Sequence, residues 1–220
     1  MPDSIWKSSL ERFREQVAQG PVPASASVSA VSSSLALSLV AMVLKASVKR
    51  KDFAGDILRA DALVDAAQSE SARMMRYADD DIAGFGEYLG TLRLPKLTAE
   101  DRAKRQLAVE GALRKATEMP LDAARAAARG IDLCFEVASV AHPVVAADLG
   151  GAAALLAGAV RALLLAVDSN LSRVKPDSEF YREMGAERRQ LEDRAMKQAA
   201  AVLDRLAAVL TEHASKRQPV

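Results

Sequence analysis

The sequence predicts an all-α protein, a single-domain helical bundle with long central helices built from small residues. Strand signals are almost absent, since the chain has no alternating β-branched run and no Asn-Gly hairpin. Alanine, leucine, glutamate, arginine and lysine dominate instead, and apolar residues recur at helical spacing. Half of the 220 residues are hydrophobic, which is enough for one sizeable core, and no internal stretch resembles a linker. We therefore expect one domain over residues 1–220.

Seven helices are predicted in chain order. The first begins after a cap at Asp3 or Ser4 and ends at Gly20-Pro21, because this pair does not continue a helix. The fifth begins at Pro120, since proline suits a first helical position. The remaining five are predicted at about residues 25–48, 53–91 with a break near 78–81, 98–119, 143–171 and 178–214.

Two of these helices resemble membrane spans but favour burial in protein. Residues 24–44 carry seven serines and no charge, and residues 144–167 contain Asp148, Arg161 and several glycines. Small residues without flanking aromatic or basic anchors suit tight helix packing better than lipid. We interpret both as central helices of the bundle and expect no membrane partner. Their small-residue surfaces also favour a homodimer.

The composition excludes several functional classes. Thirty basic residues oppose twenty-nine acidic ones, and the aromatic content is 4%, so neither a basic field nor a base-stacking surface predicts nucleic-acid binding. The single cysteine, Cys134, permits no intramolecular disulfide and is predicted to be a core residue. The amino terminus lacks a basic segment followed by an apolar signal core, which predicts a cytoplasmic protein.

Sequence motifs alone leave an enzyme and an interaction module equally open. His142 and His213 are the only histidines, and neither belongs to a cluster at metal-ligand spacing, so no metal site is predicted. The Asp79-Asp80-Asp81 run favours a kink or cap over a cation site. No phosphate-binding loop, dinucleotide fingerprint or nucleophile elbow occurs.

Asp148 is the residue that most strongly suggests chemistry. It is a lone carboxylate inside the most apolar, small-residue stretch of the chain. A charge in such surroundings is costly unless it is paired, hydrated or protonated. The residues themselves leave two interpretations open, a helix-start cap or a working acid or base.

Seven segments in order carry a resemblance to a known family. Pro21 to Ala30 is similar to the family's Pro-Thr-Pro-Gly-Gly-Gly-Ser-Val-Ala-Ala, and Lys49-Arg50-Lys51 is similar to its tri-lysine. Asp80 to Phe85 and Leu94-Pro95-Lys96 are similar to Asp-Ala-Glu-Ala-Phe and Leu-Pro-Lys, and Ala116 to Leu121 follows where the family has its equivalent segment. His142 to Asp148 is similar to Gly-Asn-Pro-Asn-Ala-Ile-Ser-Asp, and Asn170-Leu171 is similar to a closing Asn-Leu. The chain thus resembles the cyclodeaminase/cyclohydrolase family that acts on one-carbon tetrahydrofolates.

The departures from the family pattern predict an altered ligand or a weakened site. The three loop glycines of the family are Ala24, Ser25 and Ala26 here, and its asparagine before proline is His142. Its serine before the aspartate and the first asparagine of its late pair are also alanines, at positions 147 and 166. Glycine permits close backbone approach to a ligand, and asparagine binds its polar edges.

The resemblance implies hydrolysis of 5,10-methenyltetrahydrofolate, with Asp148 as catalytic acid or base. A formiminotetrahydrofolate cyclodeaminase and a degenerate, non-catalytic folate-binding dimer are the alternatives, and a general α-helical adaptor is a third. The absence of a fused formiminotransferase domain favours the cyclohydrolase expectation. No cofactor beyond the folate substrate is expected, and the partners are a folate and a second copy of the chain.

The resemblance also implies a set of folate-binding residues, each with a structural alternative. Lys49 and Lys51 would pair with the glutamate tail or simply face the helix dipole. Ser25 and Ser27 would contact the pterin or cap a helix. His142 would replace a ligand-binding asparagine or lie in a loop without a ligand role, and Asn170 would bind the ligand or a helix end.

Overall fold

The computed structural model describes residues 4–215, apart from the side chain of residue 214, and shows six α-helices and no strand in that range. The all-α prediction is therefore confirmed. Short 3-10 turns lie at Ile5–Lys7 and Pro143–Val145. The helices are α1 (Leu10–Gln19), α2 (Ser25–Val48), α3 (Ile57–Leu92), α4 (Ala99–Val137), α5 (Ala146–Leu171) and α6 (Glu179–Ser215).

The helix starts follow local capping chemistry. Thr98 and Asp101 form a reciprocal capping box at the start of α4, as the sequence predicts. Asp56 caps α3, so this helix begins later than predicted. The prediction of a single first helix is wrong, because this segment forms two elements. Ser4 caps the 3-10 turn and Ser9 caps α1. The alternative cap, Asp3, lies outside the described residues.

The predicted break in α3 near residues 78–81 does not occur. The carboxylate of Asp79 accepts hydrogen bonds from the Ser4 hydroxyl at 2.7 Å and the Ile5 amide at 2.9 Å. Asp81 accepts one from the Ser27 hydroxyl at 2.6 Å. Aspartates disfavour a helix interior because their side chains compete for local backbone hydrogen bonds, and here residues of other segments donate to Asp79 and Asp81.

The predicted break at Pro120 is also wrong. One helix, α4, continues through this proline and replaces the predicted fourth and fifth helices. Proline lacks an amide hydrogen and leaves the carbonyl four residues earlier without its usual donor. The side chain that donates a hydrogen bond to this carbonyl instead lines the cavity described below.

The core lies where α2 and α5 pack against each other and against α3 and α4, with α6 across α4 and α5. The two helices run antiparallel, because the start of α2 and the end of α5 line one cavity while Ser47 bonds the backbone of His142 at the other end. Both are long and apolar enough to span a membrane, yet 61% and 44% of their most apolar windows are buried inside the bundle. Cys134 is fully buried in this core, and burial raises the pKa of its thiol to about 12.

Candidate functional site

A cavity of about 370 Å³ opens at the end of the bundle where α2 begins and α5 ends. We call it the first cavity. Its volume lies within the range of small-molecule sites. Four segments line it: residues 21–26 before and at the start of α2, residues 81–88 of α3, residues 112–120 of α4 and residues 165–173 at the end of α5.

One stripe of α3 forms a wall of the first cavity. Asp81, Gly84, Phe85 and Tyr88 line it, and their spacing of three, one and three residues places them on one helix face. This face of α3 therefore presents a carboxylate, two aromatic rings and, at Gly84, a position without a side chain. Such a wall suits a flat ligand that carries a positive group.

Asp81 is the electrostatic centre of the first cavity. Burial raises the pKa of its carboxyl group, although the hydrogen bond from Ser27 opposes this shift. Tyr77, one turn earlier, has a buried hydroxyl without a hydrogen-bond partner. Burial is the main cause that raises the pKa of this hydroxyl, and the negative charge of Asp81 raises it further. A carboxyl group with a raised pKa can exchange a proton nearer to neutral pH than an ordinary aspartate.

Three further charged groups line the first cavity. The Lys115 ammonium and the Glu87 carboxylate form an ion pair at 2.7 Å. The Arg173 guanidinium donates a long hydrogen bond of 3.5 Å to the Tyr88 hydroxyl. The site therefore combines one partly buried acid, an ion pair whose charges cancel, and a cation.

Asn170 connects the first cavity to the continuity of α4. Its side-chain Nδ2 donates a hydrogen bond to the carbonyl oxygen of Ala116 at 2.6 Å. Ala116 lies four residues before Pro120, so its carbonyl is the one that the proline leaves without a backbone donor. Asn170 thus compensates for Pro120, which explains why the predicted break is absent.

Replacing Asn170 with alanine is expected to lower the free energy of unfolding by about 1–3 kcal/mol, since the Ala116 carbonyl loses its donor. The same change in a Pro120→Ala background should cost less than half as much, because alanine restores the backbone donor. Urea denaturation of the four proteins measures this coupling. Asn170→Asp, which keeps the shape but sets a carboxylate oxygen against the Ala116 carbonyl, is the matched control and should cost at least as much as the alanine variant. Equal costs in both backgrounds would contradict the assignment.

Gly84 keeps the wall of α3 open. A Cβ placed there would lie 3.7 Å from the sulfur of Met119, an ordinary contact, so alanine fits without strain. We expect Gly84→Ala to raise the free energy of unfolding by about 0.5–1 kcal/mol through helix propensity and to weaken ligand binding by narrowing the cavity. Gly86→Ala is the control, because that position faces open space and does not line the cavity. It should stabilise similarly with no effect on binding, as thermal denaturation and calorimetry can check.

Three of the residues predicted from the sequence lie at the first cavity. Ser25 and Asn170 line it, and Ser27 bonds its carboxylate. Neither serine is the N-cap of α2, which is Ala24 in an extended conformation. No non-glycine residue in the described range has a positive φ, so the alanines that replace the family's glycines are accommodated without backbone strain.

The other predicted residues lie at the opposite end of the bundle. Asp148 is exposed in the first turn of α5, 22 residues before Asn170, which corresponds to about 33 Å of helix. It is not the N-cap, a position held by Val145. Lys49 is the exposed C-cap of α2, and Lys51 is exposed in the following loop. A single copy of the chain therefore does not bring these groups to the first cavity.

His142 lines a second cavity, of about 360 Å³, at this opposite end. Its Nδ1 accepts a hydrogen bond from the Val144 amide at 3.2 Å and so caps the 3-10 turn before α5. Its Nε2 lies 3.7 Å from the carboxylate of Asp52, and the ring of His213 packs edge-on at 6.4 Å between centroids. These contacts give His142 a structural task at the entry to α5. Within residues 4–215 no group of three or more His, Cys, Asp or Glu side chains is arranged to hold a metal ion.

The sequence interpretation missed Asp81 as a candidate acid. The run of three aspartates is predicted to form a solvated kink or a cap, yet among them only Asp80 is exposed. The helical spacing of Asp81, Gly84, Phe85 and Tyr88 is visible in the sequence and could have indicated a common face. No local sequence signal identifies Arg173 or Lys115 as residues of the first cavity, because their position there depends on how three helices pack.

Comparisons with known proteins agree with this architecture. Residues 9–190 match the family model described as formiminotransferase-cyclodeaminase. Formimidoyltransferase-cyclodeaminase of Sus scrofa is 30% identical over 206 residues, which are 93% of this chain and 38% of that protein, so the chain spans little more than a third of that relative. Methenyltetrahydrofolate cyclohydrolase of Methylorubrum extorquens is 30% identical over 144 residues, 64% of this chain and 68% of that protein.

A solved structure shares the fold. The formiminotetrahydrofolate cyclodeaminase of Thermotoga maritima superimposes with a TM-score of 0.82 over 94% of this chain and 99% of that one. The sequence identity of the pair is 20%, so this likeness concerns the fold alone.

Proposed function

Because the chain belongs to the formiminotransferase-cyclodeaminase family, we propose that it hydrolyses 5,10-methenyltetrahydrofolate to 10-formyltetrahydrofolate. The observation that carries the proposal is the partly buried carboxylate of Asp81 in a cavity walled by two aromatic rings. The substrate is a flat ring system with a cationic amidine-like bridge. Its charge would face Asp81, and its rings would lie along Phe85 and Tyr88.

In this proposal Asp81 acts as a proton carrier. It accepts a proton from the water that attacks the bridge carbon, and a bond forms between the water oxygen and that carbon. The carbon then breaks its bond to N5, and this nitrogen takes the proton back from Asp81. Ser27 holds the carboxylate in place through its 2.6 Å hydrogen bond. The remaining hydroxyl proton of the attacking water leaves to solvent as the formyl C=O bond forms, so the net reaction adds one water and releases one proton.

The near-ultraviolet absorbance of the methenyl compound provides the test. Purified protein should accelerate its loss above the spontaneous rate. The cyclodeaminase alternative, which the name of the Sus scrofa relative supports, predicts the opposite sign: formation of the methenyl compound from the formimino form with release of ammonia. Folate binding without either reaction would support a non-catalytic binding protein, and no binding at all would contradict a folate function.

We further propose that the chain forms a homodimer through the outward face of α2 and α5. Apolar side chains are exposed along this face at Val28, Leu35 and Met42 of α2 and at Leu155 and Leu165 of α5. Two neighbouring helices of 24 and 26 residues present a face of about 36–39 Å by 15–20 Å. The resulting area, roughly 700 Å² per protomer, is close to that of a standard stable interface.

The proposed dimer offers a role for Asp148. A two-fold axis lying across the antiparallel helices would set the Asp148 end of one protomer over the first cavity of the other. The site would then combine Asp81 with Asp148 of the partner subunit. Size-exclusion chromatography with light scattering tests the dimer, and Leu35→Asp and Leu155→Asp, both at exposed positions outside the first cavity, should dissociate it. A monomeric native protein would remove this part of the proposal.

A further inference from the structure

The first cavity contains one cation without a matching anion. Of its four charged groups, Lys115 and Glu87 neutralise each other, and Asp81 is held by Ser27. Arg173 contacts only the neutral hydroxyl of Tyr88, and no carboxylate of the described residues lies within ion-pair distance of its guanidinium. Guanidinium groups bind carboxylates in a bidentate geometry that a phenol does not satisfy.

The spacing between Asp81 and this cation follows from α3. Asp81 and Tyr88 are seven residues apart on the same helix face, which corresponds to about 10 Å along the axis. Arg173 lies beside Tyr88 at the far end of that interval, with Phe85 between. The cavity is therefore bipolar, with an acid at one end, an aromatic wall and an arginine at the other end.

We propose that Arg173 binds the carboxylate of a ligand whose cationic group lies at Asp81. This inference rests on the proposed function, under which the carboxylate belongs to the glutamate of the folate. A benzoyl unit that links the reacting nitrogen to an amide-bound glutamate spans about the interval between the two charged ends of the cavity. Arg173 is thus a specificity-determining residue that distinguishes pteroylglutamates from pteroates.

Lys49 and Lys51, the residues that the sequence suggests for the tail, lie at the other end of α2. Ser25 lines the first cavity, and Lys49 follows it by 24 residues, about 36 Å of helix. Within one protomer these lysines are too far from Asp81 to share its ligand. A structural explanation of Arg173 also exists, since it directly follows the C-cap of α5, where the helix dipole favours a cation. The two explanations differ in what they predict for binding.

Calorimetry with folic acid and pteroic acid, which differ by the glutamate, separates these explanations. Wild-type protein should bind folic acid more tightly, by about tenfold or more. Arg173→Gln should abolish the preference by weakening folic acid alone, and Arg173→Lys should restore part of it. Lys175→Gln, in the same exposed loop and outside the cavity, is the matched control and should keep the preference.

The outcome is independent of turnover. If Arg173→Gln retains the wild-type preference for folic acid, or if the wild-type protein shows none, the inference is overturned. If the preference depends on Arg173 while the methenyl compound is not hydrolysed, the inference stands and the proposed reaction fails. A purely structural role for Arg173 would lower thermal stability and weaken both ligands equally, which also overturns the inference.

Discussion

Replacing Asp81 with asparagine is expected to lower kcat for methenyltetrahydrofolate hydrolysis by about 10²–10⁴-fold, the usual contribution of a general acid or base. The amide cannot accept the proton of the attacking water, and it removes the negative charge that faces the cationic substrate. The fold should survive, because the Ser27 hydroxyl can still donate to the amide oxygen of the new side chain. Steady-state absorbance kinetics on the purified variant measure the effect.

The stability of the Asp81 variant should move in the opposite direction to its activity. Burial raises the pKa of Asp81, so the native state holds its proton more tightly than the unfolded chain and ionisation at neutral pH opposes folding. Removing the charge should therefore leave the protein equally or more stable at pH 7. This advantage should shrink as the pH falls through the raised pKa, because the native wild-type carboxyl group then becomes neutral, and it should vanish below the ordinary aspartate pKa, where both states are neutral.

Asp80→Asn is the matched control for Asp81→Asn, since it changes the adjacent, exposed carboxylate of the same helix. It should retain both wild-type kcat and the wild-type pH profile. Wild-type activity should rise with pH through the raised pKa of Asp81, and the variant without this carboxylate should lose that limb. Full activity of Asp81→Asn would rule out the proposed mechanism.

Asp148 can be tested in the same assay by mixing subunits. If the site combines Asp81 of one protomer with Asp148 of its partner, both Asp81→Asn and Asp148→Asn dimers are inactive. Re-equilibrating the two variants should then recover about a quarter of wild-type activity, because half of the dimers are mixed and each has one intact site. If no activity is recovered, Asp81 and Asp148 do not form one site across the two subunits, and this role of Asp148 is ruled out. The isolated Asp148→Asn variant should keep its fold, since the side chain is exposed.

How far the sequence predicts this molecule depends on the range of the interactions. Local chemistry suffices for the capping box at Thr98, which acts within one turn, and for the bounds of α2, which lies between the prolines at 21 and 23 and the basic run Lys49-Arg50-Lys51. It fails at Pro120 and Asp81, whose compensating partners, Asn170 and Ser27, lie 50 and 54 residues away in the chain. In both cases propensity predicts a break, and a tertiary hydrogen bond overrides it.

The candidate site shows the same division between local and tertiary information. Family resemblance indicates the segments that matter but not which ends of the helices meet. Antiparallel packing of α2 and α5 places Ser25 with Asn170 and moves Lys49 and Asp148 to the opposite end. Sequence order alone contains no information on this separation, because each helix spans the full length of the bundle.

The largest effect on stability is expected at the crossing of α2, α4 and α5. Gly130 of α4 faces two fully buried leucines, and a Cβ added there would lie 3.0 Å from methyl carbons of both Leu37 and Leu156. Leu156→Ala should lower the free energy of unfolding by about 2–5 kcal/mol, because it leaves a cavity in a region that close packing prevents from collapsing. Gly130→Val should cost about 1–3 kcal/mol by overpacking the same contact.

The two changes are expected to compensate each other in part. Gly130→Ala gains helix propensity but collides with Leu37 and Leu156, whereas in the Leu156→Ala background only the contact with Leu37 remains and the new methyl group can move into the vacated space. The alanine at 130 should therefore be stabilising in that background and less favourable in the wild type, a coupling that denaturant titration of the four proteins measures. Gly111→Ala on the same helix faces open space and should stabilise both backgrounds equally, by about 0.5–1 kcal/mol. If Gly130→Ala behaves like Gly111→Ala in the wild type, the crossing has more room than the 3.0 Å contacts imply, and its neighbours relax without cost.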